Sequence, residues 1–146
     1  MANESDPYNL KRFVLAQERC YASALDEIRR GEKESHWMWF VFPQIAGLGR
    51  SATSQHYALR DLAEAEAYLR HPLLDARLTE CFHAVISVQE RSVREIFGSP
   101  DDLKFHSSAT LFACITPGDP VFNQALDRYF QGRLDEATLR LLAPRV

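Results

Sequence analysis

A polar residue followed directly by proline occurs at Asp6-Pro7, His71-Pro72, Ser99-Pro100 and Asp119-Pro120, each time just ahead of apolar residues spaced at helical period. The polar side chain offers an N-cap oxygen, and proline at the first helical position gives up an N–H that has no partner there. This punctuation marks helix starts and constrains the chain to helices entered at those points. Asp61 and Glu64 add capping-box spacing before LAEAEAYLRH, with Asp in place of the usual Ser or Thr, and Ser92 with Glu95 forms the regular version before VREIFG.

The apolar residues agree. After Pro7 they recur at Leu10, Phe13, Val14, Cys20, Tyr21, Ala24, Leu25 and Ile28, which predicts one long amphipathic helix ending at Arg29, Arg30 and Gly31, with Lys11, Glu18, Asp26 and Arg30 solvated. Leu74, Leu78, Cys81, Phe82, Val85 and Val88 share one side of a central buried helix. Leu103, Thr110, Leu111, Phe112 and Cys114 support another, ending near Pro117-Gly118. Phe122, Ala125, Leu126, Tyr129 and Phe130 stripe a helix stopped by Gly132, and Asp135 caps a last one carrying Leu139 and Leu142. No stretch alternates as a strand would. The expected fold is all-α, one single-domain bundle of about seven helices over residues 1–146.

Several function classes are disfavoured. A net charge of -3 gives no electrostatic footprint for nucleic acid. No apolar run approaches the ~20 residues of a membrane span, and MANESDPYNL lacks the basic and apolar regions of a secretory signal, so a cytoplasmic location is expected. Cys20, Cys81 and Cys114 lie far apart and read as small buried hydrophobes. His36, His56, His71, His83 and His106 form no i,i+4 pair, so neither a metal nor any cofactor is expected.

Chemistry concentrates in SHWMWFVFPQIAGLGRS, residues 35–51. WMWFVF is too continuous for a surface element and reads as about two turns of buried helix, capped by Ser35 and stopped by Pro43, with a strand as the other option. Trp37 and Trp39 point in different directions on a helix, so one can pack while the other lines a cavity. Beyond Gln44, the run AGLGRS places Gly47, Gly49, Arg50 and Ser51 in a turn feeding a helix through Tyr57, an arrangement suited to an anion or simply to a connection. It matches neither of the glycine-rich nucleotide fingerprints.

A second polar group, Lys104, Ser107, Ser108 and Thr110, lies on an otherwise apolar helix. Its hydroxyls either bond one turn back or face a cavity shared with the tryptophan segment. Asp101 and Asp102 read as favourable charge in a first helical turn. The two groups together suggest a site for a small anionic metabolite with a planar part, such as a nucleotide or ADP-ribose-like compound. Arg50, Ser51 and Lys104 would hold the anion, Trp39 would stack, and Gln44 with His36 would orient or protonate it; any catalysis would be metal-free acid–base hydrolysis. The alternative is a non-catalytic module that binds a protein, or itself as a homodimer, through a tryptophan-rich surface.

HWMWFVFPQIAGLGRS, EAEAYLRHPLLDARLTEC and RSVREIFGSPDDLKFHSSATLF, in that order, resemble the domain-of-unknown-function 1810 family of small, mainly helical bacterial proteins, over nearly the whole chain. Ala109 and His106 depart from the pattern. The resemblance implies a helical fold and little about activity; the calpastatin label of some relatives suits disordered repeats, not this apolar, repeat-free chain. SSATLFACI and FNQALDRYF are remotely similar to NADAR proteins, which are linked to ADP-ribose and NAD metabolism, without a catalytic signature that transfers.

Overall fold

Polar side chains close half of the described helix starts. In the computed structural model, which describes residues 6–115 and 120–143, the architecture is all-α. The helices are α1 (Lys11–Glu18), α2 (Tyr21–Arg30), α3 (Met38–Val41), α4 (Ala52–Tyr57), α5 (Leu62–Arg70), α6 (Pro72–Ser87), α7 (Val93–Phe97), α8 (Asp101–Ile115), α9 (Pro120–Phe130) and α10 (Glu136–Leu142). Ser51, Asp61, His71, Ser92 and Asp135 each accept a hydrogen bond from a first-turn N–H, and Ser92 with Glu95 completes a capping box. Asp119 and the Pro117-Gly118 stop lie outside the described residues.

Ten helices are described, against about seven expected, and one of the added helices comes from a break that leaves no mark in the sequence. The long helix expected from Pro7 to Arg30 is two: Asp6 caps a turn, accepting from Leu10 and Lys11, and α1 ends at Glu18. At the break the Cys20 N–H bonds to Gln17 O, and Ala24 N–H takes Cys20 O, so the chain changes course without orphaning those groups. The tryptophan segment is likewise shorter than expected. Only one turn, α3, is helical, and Ser35 does not cap it because its hydroxyl donates to Glu27 instead. Ser99-Pro100 does not start α8 either; that peptide is cis and the helix begins at Asp101.

α6 and α8 are the inner elements: α6 lies against α1, α2, α5 and α9, and α8 against α5, α7, α9 and α10. Their shared core is aromatic. Rings contact one another in a continuous path, Trp37–Phe42–Phe82–Phe122–Phe112–Tyr68–Phe13–Tyr57–Phe40, with centroids 4.9 Å (Phe82–Phe122) to 6.2 Å (Trp37–Phe42) apart. Such spacing suits edge and offset contacts. Cys81 is buried as expected and burial pushes its thiol up to about 12, whereas Cys20 is half-buried and Cys114 is exposed, on the outer side of α8. Leu103, expected on the apolar face, is also exposed, at 61%.

Candidate functional site

The loop after Pro43 is held at both ends. Ala46 N–H bonds to Leu59 O (2.7 Å) and Leu59 N–H to Gln44 O (2.9 Å), the isolated parallel bridge Ile45–Leu59 that ties the segment back onto the body. Within it, Ser51 caps α4: its hydroxyl oxygen accepts from Ser54 N–H at 3.0 Å and bonds the Ser54 hydroxyl at 2.7 Å. Ser54 lies so close to Gly49 that a Cβ there would stand 2.5 Å from Ser54 Cβ, so glycine is required for the approach.

Against this loop stand the first half of α8 and the start of α10. Together they enclose a hollow of about 250 Å³ lined by Gln44, Leu48, Gly49, Pro100, Leu103, Lys104, Ser107, Asp135 and Ala137. Its polar groups are largely pre-set. Asp135 Oδ2 accepts from Thr138 N–H (3.1 Å), the Thr138 hydroxyl (2.6 Å) and the Ser107 hydroxyl (3.0 Å), while the Asp135 N–H donates to Thr110 Oγ1 (2.9 Å). The Ser107 hydroxyl also reaches Leu103 O at 3.1 Å, the ordinary bond one turn back. Among the described residues, neither Asp135 Oδ1 nor the Gln44 side-chain amide has a protein partner.

Lys104 joins the hollow to a charge chain. Its ammonium lies 3.0 Å from Asp101 Oδ1 and 5.3 Å from the Trp39 ring centroid, and Lys33 holds Asp101 Oδ2 at 3.0 Å. Burial pushes the Asp101 carboxyl up, but the two ammonium groups outweigh it and keep it below the usual carboxylate range. Trp39 therefore sits behind Lys104, half-buried, and does not line the hollow.

The structure brings Gln44, Gly49, Lys104 and Ser107 together and leaves the other expected residues around or away from them. Trp37 is fully buried, its indole N–H donating to Glu27 Oε1 at 2.9 Å. His36, Gly47 and Arg50 are exposed, Gly47 beside Leu141. Ser51 spends its hydroxyl on α4, and Ser108 is fully buried with a hydroxyl that bonds to nothing among the described residues. Two contributors escaped the sequence reading. Asp135 reads only as a cap, and Asp101 only as first-turn charge; the Lys104-x-x-Ser107 spacing hints at a shared face without naming its partners.

Roomier surface grooves offer less. One of about 420 Å³ is lined by Arg29, Glu80, His83 and Ser87, but Arg29 faces Glu80 at 3.7 Å and the Ser87 hydroxyl donates to His83 O. Among the described residues no group of three or more His, Cys, Asp or Glu is placed to hold a metal ion, and no helix is long and apolar enough to cross a membrane.

Comparison with known proteins agrees with this architecture. A crystal structure of the conserved hypothetical protein Rv1873 from Mycobacterium tuberculosis superimposes with a TM-score of 0.94 at 51% identity, covering 96% of this chain and 100% of that one. No curated protein matches the chain. The family described as "Protein of unknown function (DUF1810)" matches residues 7–142. That span takes in every helix described above and both halves of the hollow, and the chain belongs to this family.

Proposed function

We propose that the protein binds a small planar metabolite bearing an anionic or carbonyl group in the hollow between the 44–49 loop, α8 and α10. The observation that carries this reading is the convergence of Gln44, Gly49, Lys104 and Ser107 on one concave site. Its volume of about 250 Å³ lies just under the ~300 Å³ lower end of ordinary ligand pockets. A single ring system matches that volume, and a longer ligand such as ADP-ribose would extend past the mouth, where Arg50, the exposed residue after Gly49, would meet an anionic tail. Lys104 supplies the donor inside, and Trp39 acts through it, as the aromatic face on which the ammonium rests. His36 lies outside the lining, so the reading is a binder rather than a hydrolase. A docking surface made of both indoles has less support, since Trp37 is fully buried and Lys104 lies over Trp39.

Thermal-shift screening against mononucleotides, nucleosides, ADP-ribose, phosphorylated sugars and simple aromatic anions tests it. A ligand at a hundred times its Kd adds about 2.7 kcal/mol, or roughly 5–10 °C for a chain this long. The shift is expected with planar ligands, to disappear in Lys104→Met and to shrink in Arg50→Ala. A flat response across the panel overturns the proposal.

A further inference from the structure

We infer that Gln44, Lys104 and Asp135 recognise an amide-type edge, a ring carbonyl beside a ring N–H, so that the occupant is a lactam-bearing heterocycle; this rests on the small-molecule reading above. The first argument is charge. Lys33, Asp101, Lys104 and Asp135 are the ionisable groups in and directly behind the hollow, and their formal charges cancel. A phosphate placed inside would gain Lys104, already shared with Asp101 at 3.0 Å, and would face the Asp135 carboxylate. A neutral group with separate donor and acceptor ends meets no such opposition.

The second argument is hydrogen-bonding capacity. Asp135 is immobilised through Oδ2, which takes three donors, so the carboxylate is fixed while Oδ1 keeps its acceptor capacity unspent among the described residues. Gln44 adds an amide with both a free donor and a free acceptor, and its NH₂ can donate to the second lone pair of a ring carbonyl. Lys104 donates only. One donor, one acceptor and one group that is both, on a wall otherwise built from Leu48, Gly49, Pro100 and Leu103, match a flat ring whose carbonyl turns toward Lys104 and whose N–H turns toward Asp135.

Isothermal titration of the full chain with inosine and 1-methylinosine tests the assignment, because the methyl group replaces the lactam N–H and leaves the carbonyl. Inosine is expected to bind at least about tenfold more tightly, the discrimination of a good paired contact. Asp135→Asn keeps an acceptor for the α10 cap but turns an NH₂ toward the ring N–H, so it should remove that preference by weakening inosine alone. Gln44→Met, which breaks no hydrogen bond made by that side chain within the protein, should weaken inosine as well and serves if the Asn variant does not fold. Equal affinity for the two nucleosides overturns the inference. So does stabilisation by phenyl phosphate or benzoate without binding of inosine, which leaves the small-molecule reading standing; no response to any of the four overturns both.

Discussion

Glu27 shows how one buried carboxylate organises a stretch of chain that looks as though it should organise itself. It is 4% exposed, and it accepts from Glu34 N–H, Ser35 N–H, the Ser35 hydroxyl and the Trp37 indole. Burial pushes the carboxyl up, but these four donors outweigh it and hold it down at about 2, against an ordinary 4.5. A carboxylate depressed in the folded state stabilises that state above its unfolded value, and the contribution is lost as pH falls. Urea titrations should therefore show stability falling from pH 4.5 toward pH 2, with Glu27→Gln less stable at pH 7 by about 3 kcal/mol and flatter over that interval. An unchanged acid slope in the variant would mean that Glu27 contributes nothing to it. None of this is legible in the sequence, where Ser35 has the chemistry of a cap and Glu27 is one acid among several; only the fold decides that the hydroxyl turns to the carboxylate. Lys104 and Ser107 could be singled out from their spacing, whereas Asp135 could not, because a cap consumes one oxygen and says nothing of the other.

Among the elements, those whose ends are written in side-chain chemistry were the readable ones. Ser51, Asp61, His71, Ser92 and Asp135 start their helices as their positions announce. The break between α1 and α2 is closed by backbone bonds and a Cys20 thiol bond to Ala16 O, and no proline or glycine stands there to announce it. The end of α2 was readable because Gly31 is glycine of necessity: φ is +73°, in the left-handed region, and a Cβ would stand 2.9 Å from Arg91 Cδ and 3.0 Å from Val88 Cγ1. Gly31→Ala should cost about 1–2 kcal/mol from backbone conformation, and more if Val88 does not yield, measured by chemical denaturation. A loss below about 0.5 kcal/mol would show that the turn is not held in this form.

At the scale of the molecule, apolar periodicity was enough for the class of fold, because a stripe at Leu74, Leu78, Phe82 and Val85 buries only as a helix inside other helices. It could not give the hollow, whose walls come from residues 44–49, 100–107 and 135–137, stretches brought together by long-range packing. Of these, α10 is the least anchored: Thr138 alone of its residues is buried, and its tie to α8 runs through Asp135. Helices fastened so lightly open locally, well below the energy of global unfolding. An occupant that touches Asp135 and Ala137 on one side and Gln44 on the other would fasten this last helix to the body from outside the core. Hydrogen–deuterium exchange should then slow at Leu139 to Leu142 on adding ligand, so that α10 reports the occupancy of a site that its own first half helps to build.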